Sequence, residues 1–125
     1  MKTIQIHAGT QTPFVHFDAS NGNLEISGRS IAEQLGLFYQ PLIDWIDDYI
    51  AIAQPLTILN IDFEYFNTGT AKYILEIMKK MEYIALRGHE VFINWFYSEG
   101  DSDMLEAGED YQSIIKLPVK LICKG

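Results

Sequence analysis

The spacing of apolar residues near the start of the chain predicts strands. Phe14–Asp18 and Leu24–Ser27 alternate apolar and polar positions, which is the period of a half-buried strand. Asn21-Gly22 between them is a strong hairpin signal, because both residues tolerate the positive φ that a tight turn requires. Thr3–His7 has the composition of a further strand. We therefore predict a strand followed by an antiparallel hairpin.

A helical period begins further on. Apolar residues recur there at i, i+3, i+4, i+7 and i+8, namely Leu42, Trp45, Ile46, Tyr49 and Ile50. Ser30–Glu33 has the form of a capping box and predicts a helical turn, whereas Pro41 suits only the first turn of a helix. We therefore predict a break near Tyr39 and a main first helix from Gln40 to Ala53. The opposite side of this helix carries carboxylates that should face water or a cationic partner: Asp44, Asp47 and Asp48.

Strands and helices alternate in the second half. Leu56–Phe66 is almost continuously apolar through Ile61, which predicts a central strand buried on both faces. A second helix should begin at Asn67 or Thr68 and end before Gly88, since glycine suits a helix C-terminus. Its predicted core stripe is Ala71, Ile74, Leu75, Met78 and Met81, and its predicted exposed ladder is Lys72, Glu76 and Lys80. The remaining predicted elements are a buried strand over Val91–Tyr97, a short helix over Met104–Ser113 and a last strand over Val119–Ile122.

The order β-β-β-α-β-α-β-α-β indicates a layered α/β fold with a mixed sheet. Helices between successive strands imply parallel pairs joined by right-handed crossovers, and the N-terminal hairpin adds antiparallel strands. No repeat, low-complexity segment or linker divides the 125 residues, so we expect one domain over residues 1–125.

Composition and charge narrow the class of protein. The formal net charge is −8 and the cationic residues are scattered, so neither nucleic acid nor an anionic membrane is an expected partner. No apolar run approaches the roughly 20 residues that span a bilayer, and the first residues lack the features of a signal peptide. The lone Cys123 excludes an intramolecular disulfide and multi-cysteine zinc sites. We expect a cytoplasmic protein whose partners are other proteins.

The junction between the Leu56–Phe66 strand and the second helix is the most informative feature. Asn67-Thr68-Gly69-Thr70 places hydroxyl groups where backbone N–H groups converge. The structural interpretation is that Asn67 or Thr68 caps the helix. The functional interpretation is that Thr68 accepts a phosphoryl group, which the helix dipole would stabilise and which unobstructed Gly69 would let a kinase reach. Thr70 is a second candidate, but its place inside the first turn favours a structural hydroxyl.

Other polar clusters are weaker candidates for a functional site. Asp62 and Glu64 share a strand face and are a candidate carboxylate pair for acid/base catalysis or metal binding, but no His or Lys nearby completes a set. The acidic segment from residue 99 to 110 fails the EF-hand pattern at Leu105 and Glu106, so Asp101 and its neighbours are expected to cap the third helix. The three histidines lie in separate elements and receive no role. We expect no enzyme activity, no metal and no cofactor.

Three segments resemble the SiaC family of bacterial regulatory phosphoproteins: Phe63–Lys72, Phe38–Trp45 and Asp101–Tyr111. The resemblance implies a STAS-like fold, a serine/threonine kinase and a metal-dependent phosphatase as partners, and phosphorylation of Thr68. It further implies that the unphosphorylated form binds and activates a diguanylate cyclase and so promotes biofilm formation. Residues flanking the site that would contact partners are Tyr65, Phe66, Asn67, Gly69 and Thr70. Gly69 departs from the Ser or Ala frequent at that position in the family, which bears on the helix start and on kinase fit.

Two alternatives stay open. The protein could be a STAS-type antagonist that captures an anti-sigma kinase instead of a cyclase. It could also be a small hydrolase that uses Asp62 and Glu64. The leading hypothesis is a non-enzymatic signalling protein controlled by reversible threonine phosphorylation.

Overall fold

A six-stranded sheet, in the order β1-β2-β3-β4-β5-β6, organises the computed structural model, which describes residues 1–125. The elements are β1 (Ile4–Ile6), β2 (Phe14–Asp18), β3 (Asn23–Ser30), α1 (Leu35–Ile50), β4 (Leu56–Phe66), α2 (Thr68–Leu86), β5 (Glu90–Tyr97), α3 (Ser102–Ile114) and β6 (Val119–Cys123). The first three strands pair antiparallel, and β3 to β6 pair parallel. The predicted element order and mixed α/β sheet are confirmed, and β4 and β5 lie inside the sheet.

The hairpin forms as predicted. Gly22 adopts a φ of 73°, and the side chain of Asn21 accepts a hydrogen bond from the N–H of Asn23 at 2.9 Å. This turn joins β2 to β3 in antiparallel register. β3 extends to Ser30 through an irregularity between Gly28 and Arg29, so it is longer than the predicted Leu24–Ser27.

The beginning of α1 differs from the prediction. The helix begins at Leu35 and continues through Pro41, so there is no break near Tyr39. Ser30 ends β3 and is fully buried, so the predicted capping box does not form. The predicted stripe of α1 is nevertheless buried apart from Ile50, which is partly buried, and Tyr39 extends the stripe by about one turn toward the N-terminus. Sequence reasoning failed here because the side chain of Ser30 has tertiary partners that no local pattern reveals.

Only one face of the sheet is covered. Burial alternates along β4, where Leu59, Ile61 and Phe63 point into the core while the intervening residues stay partly or fully exposed. The prediction that this strand is buried on both faces was therefore wrong. Right-handed crossovers that each advance by one strand in the same direction place every helix on the same face. The core lies between that face and the three helices, as one cluster of 27 buried residues.

The exposed and buried faces of α2 also differ in part from the prediction. Lys80 pairs with Asp47 of α1 at 2.6 Å and is not part of a free exposed ladder. Ile74, Met78 and Met81 are buried as predicted, together with Ile77 and Ile84. Ala71 and Leu75 of the predicted stripe are only partly buried. None of the helices is both long and apolar enough to cross a bilayer.

Candidate functional site: the N-terminus of helix α2

The site lies where β3 and β4 end at the same edge of the sheet. Ser30 pairs with Phe66 in the parallel register, and the N–H of Asn67 then donates to the carbonyl of Ser30 at 3.0 Å. The chain turns directly into α2 at Thr68. The carboxyl edge of parallel strands is where α/β proteins commonly place their functional groups.

Asn67 is the N-cap of α2. Its side-chain oxygen accepts the N–H of Thr70 at 2.9 Å, and its backbone oxygen accepts the N–H of Ala71 at 3.3 Å. Its side-chain amide also donates to the carbonyl of Ala32 at 3.3 Å. The helix itself supplies no acceptor for the N–H groups of Thr68 and Gly69, which are left for water or an anion. The cap therefore leaves Thr68 free of a structural task.

The two threonines of the motif differ in access. Thr68 is exposed and is the first residue of α2, whereas Thr70 is 0% exposed. The hydroxyl of Thr70 lies 2.9 Å from the carbonyl of Ser30 and 2.8 Å from the side-chain oxygen of Asn67. A kinase could reach the hydroxyl of Thr68 without unfolding the helix, but not that of Thr70.

The flanking residues divide between surface and core. Tyr65 is 59% exposed, while the ring of Phe66 lies 5.8 Å from that of Trp95 and is half-buried. Gly69 is half-buried, and a Cβ at this position would lie 2.7 Å from Leu35 Cδ1. A Ser or Ala at this position would bring its Cβ against the first turn of α1. Tyr65 and Thr68 are therefore the exposed residues of the motif.

An apolar groove of about 300 Å³ lies beside Thr68, between α2 and α3. Its lining is mainly apolar: Phe66, Ala71, Leu75, Ala107, Tyr111 and Ile114, with Thr68, Lys72 and Asp110 at polar positions. The hydroxyl of Tyr111 donates to the carbonyl of Ala71 at 2.9 Å and so fixes α3 against the first turn of α2. Burial raises the pKa of Tyr111, which keeps this donor protonated.

Sequence reasoning missed the groove and the tertiary contacts of Ser30 and Tyr39 beneath the site. Ser30, Tyr39 and Thr70 are each 0% exposed, and the hydroxyl of Ser30 is hydrogen-bonded to those of both Tyr39 and Thr70. Burial raises the pKa of Tyr39 to about 12. One signal was available in the sequence, because Tyr39 lies at i−3 and i−7 from Leu42 and Ile46 of the apolar stripe.

The other candidate clusters lie elsewhere. Asp62 forms an ion pair with Lys124 at 2.7 Å, and Glu64 is exposed. No group of three or more His, Cys, Asp or Glu side chains is arranged to hold a metal ion. Asp101 accepts the N–H of Met104 at 3.1 Å and caps α3, as expected from its position in the acidic segment.

Solved structures share this fold. Apo-SiaC from Pseudomonas aeruginosa is 24% identical, with 98% of this chain and 99% of that chain covered and a TM-score of 0.88. A chain in the crystal structure of the diguanylate cyclase SiaD in complex with its activator SiaC, from the same organism, is 23% identical. It matches with a TM-score of 0.89 over 96% of this chain and 98% of that chain. At these identities the similarity establishes the fold.

Sequence comparison establishes the family. An uncharacterised protein of Pseudomonas aeruginosa strain UCBPP-PA14 is 25% identical over 118 residues, which is 94% of each chain. The model of the SiaC family regulatory phosphoproteins matches residues 6–124. The chain therefore belongs to the SiaC family of regulatory phosphoproteins.

Proposed function

We propose that this protein is a non-enzymatic signalling switch that is controlled by reversible phosphorylation of Thr68. A serine/threonine kinase adds the phosphoryl group and a metal-dependent phosphatase removes it. The unphosphorylated form binds and activates a diguanylate cyclase, and so controls cyclic di-GMP and biofilm formation. Membership of a regulatory phosphoprotein family supports this proposal, as does the fold shared with an activator of a diguanylate cyclase.

The observation that carries the choice of residue is the contrast between two similar helix starts. Thr68 follows the N-cap Asn67 in α2, and Ser102 follows the N-cap Asp101 in α3. Both hydroxyl residues are exposed and occupy the first helical position. The first turn of α2 contains no carboxylate, whereas α3 has Asp103 in its first turn next to the Asp101 cap. A phosphate is repelled at the start of α3 and is stabilised by the helix dipole at the start of α2.

The groove supports the direction of the switch. Thr68 lies at the edge of a mainly apolar surface on which a partner side chain could be buried. A phosphate adds about −1.5 to −2 charges near neutral pH, and an apolar contact cannot desolvate that charge without large cost. Phosphorylation therefore weakens binding at this surface while the fold stays unchanged.

Labelling by the cognate kinase with ATP tests the site. We expect one phosphate in the native protein, peptide mapping to Thr68, and no label in Thr68→Ala. Because Asn67 provides the cap, Thr68→Ala should change the free energy of unfolding by no more than about 0.5 kcal/mol. Ser102→Ala is the matched control and should be labelled normally. Label that persists in Thr68→Ala and disappears in Ser102→Ala would show that the proposed site is wrong.

Calorimetric titration with the diguanylate cyclase tests the switch. Unphosphorylated protein and Thr68→Ala should bind and stimulate cyclic di-GMP synthesis. Phosphorylated protein and Thr68→Asp should bind at least about thirtyfold more weakly, which corresponds to about 2 kcal/mol. Equal or tighter binding by the phosphorylated form would reverse the proposed direction. Binding to an anti-sigma kinase in place of the cyclase would support the alternative effector.

A further inference from the structure

Three buried hydroxyl groups form a connected chain beneath Thr68. Tyr39 OH lies 2.7 Å from Ser30 Oγ, and Ser30 Oγ lies 2.8 Å from Thr70 Oγ1. The chain ends at Asn67, whose Oδ1 lies 2.8 Å from Thr70 Oγ1. These groups come from α1, from the end of β3 and from the start of α2. They therefore connect three elements at the residue that precedes Thr68.

The number of available protons decides which group donates in each of these hydrogen bonds. Asn67 Oδ1 also receives the N–H of Thr70, which identifies that atom as the amide oxygen, and an amide oxygen can only accept. The carbonyl of Ser30, 2.9 Å from Thr70 Oγ1, can likewise only accept. The single hydroxyl proton of Thr70 must therefore point to these two acceptors. Ser30 must then donate to Thr70, and Tyr39 must donate to Ser30.

The far end of the chain is held in place by packing. The ring of Tyr39 stacks on that of Tyr73 at a centroid distance of 5.2 Å and an interplanar angle of 12°. Tyr39 and Ser30 are fully buried, and no buried side-chain polar atom in the molecule lacks a hydrogen-bond partner. A fully satisfied buried network of this kind rigidifies the groups that it connects.

We propose that Tyr39, Ser30 and Thr70 are positioning residues for the phosphorylation of Thr68, acting through the side chain of Asn67. The inference rests on the proposed function of Thr68 as the phospho-acceptor. In the transfer, Thr68 Oγ1 bonds to the γ-phosphorus of ATP, the bond to the bridging oxygen breaks to release ADP, and the hydroxyl proton passes to the base of the kinase. Because the kinase supplies the base and the metal, this protein contributes only the position of Thr68 Oγ1. The directed hydrogen bonds fix the Asn67 cap, and the cap fixes the backbone from which Thr68 Oγ1 projects.

Steady-state kinetics of phosphorylation test the proposal with single variants. Thr70→Val keeps the volume and removes the hydroxyl that bonds Asn67, so kcat should fall about tenfold or more while KM changes little, since geometry and not docking is disturbed. Thr70→Ser restores the hydroxyl and should restore most of kcat. Tyr39→Phe removes only the first donor and keeps the stacked ring, so its kcat should lie between those of Thr70→Val and the native protein.

Tyr49→Phe is the matched control. Tyr49 lies in the same helix and its hydroxyl makes an equivalent buried bond to Thr57 Oγ1 at 2.7 Å, away from the start of α2. This variant should lose stability as Tyr39→Phe does but keep the native kcat, at a temperature where all variants are folded. A native kcat in both Thr70→Val and Tyr39→Phe would overturn the positioning role and leave the labelling of Thr68 intact. Should Thr70→Val fail to fold, a native kcat in Tyr39→Phe alone overturns it. Absence of label on Thr68 in the native protein would overturn the proposed function, and this inference with it.

Discussion

Asn67 and Thr70 satisfy the polar groups at the start of α2 and leave Thr68 to solvent. The Asn67 side chain accepts the N–H of Thr70, and the Thr70 hydroxyl is buried against β3. An exposed hydroxyl beside a satisfied cap can be modified without loss of the helix, because the cap does not depend on it. This separation of tasks among adjacent residues would allow the proposed phosphorylation of Thr68 without disruption of the helix.

The burial of Tyr39 predicts how the free energy of unfolding changes at alkaline pH. Burial raises its pKa from 10.0 to about 12, so the native state favours the neutral phenol. Its contribution to stability is present below pH 10 and is lost as the pH rises to about 12, because the unfolded chain ionises first. Tyr39→Phe cannot ionise, so its free energy of unfolding should fall less steeply over this window. Urea unfolding of both proteins across the window measures the slope.

A variant that keeps every tyrosine provides the control for that experiment. Gln40→Ala replaces an exposed, non-ionisable neighbour of Tyr39 and should show the same pH slope as the native protein. The pKa of Tyr111 is raised by burial and then by the charge of Tyr39, so part of the shallower slope expected in Tyr39→Phe arises from Tyr111. If the free energy of unfolding of Tyr39→Phe falls with pH as steeply as that of the native protein, the ionisation of Tyr39 is not coupled to unfolding.

In helix α1, the burial of side chains outweighs the local rule that proline does not occur inside a helix. Pro41 is the seventh residue of the helix and cannot donate to the carbonyl of Leu37, at a cost of about 3 kcal/mol relative to alanine. The residues before it include Leu35 and Tyr39, which are 9% and 0% exposed. Burying two such side chains contributes about 1.5–3 kcal/mol each, which offsets the proline. Leu37 is 76% exposed, so water can reach that part of the helix.

Replacement of this proline should therefore stabilise the protein. Pro41→Ala removes the helix penalty of about 3 kcal/mol and loses about 1 kcal/mol through a more flexible unfolded chain, for a net gain of about 2 kcal/mol. The midpoint of urea unfolding should rise with an unchanged m-value. Gln40→Ala, at the exposed neighbouring position, should change stability by no more than about 0.5 kcal/mol. A loss of stability in Pro41→Ala would mean that the ring makes favourable contacts in the folded state.

The elements themselves were largely predictable, and their junctions were not. A nearly continuous apolar run revealed the strand over Leu56–Phe66, and the Asn67 cap with Gly88 bounded the following helix. The sequence could not reveal that Ser30 ends a strand, because its hydroxyl partners lie 9 and 40 residues away in the chain. The phospho-acceptor candidate came from local chemistry and family resemblance. The hydroxyl network of Tyr39, Ser30 and Thr70 depends on contacts that form only in the folded molecule.

The whole molecule has a covered and an uncovered sheet face, which local patterns do not distinguish. A continuous apolar run is typical of a strand buried on both sides, yet Leu56 is 40% exposed and Ile58 is half-buried. The register aligns polar residues of neighbouring strands on the uncovered face, where the amide of Asn94 donates to the side chain of Asn60 at 2.9 Å. The direction of the crossovers therefore decides which apolar residues form the core.

One core across the sheet predicts one cooperative unfolding transition. The cluster of 27 buried residues runs from Val15 to Val119 without division. Trp45 of α1 packs against Phe17 of the hairpin at a ring distance of 5.3 Å, whereas Trp95 of β5 packs against Tyr111 of α3 at 5.2 Å. The two rings thus report on the N-terminal and C-terminal halves. In Trp45→Phe and in Trp95→Phe, fluorescence of the remaining tryptophan should coincide with far-ultraviolet circular dichroism through urea unfolding, as two-state behaviour requires. Separate midpoints for the two probes within either variant would show that residues 1–125 form more than one folding unit.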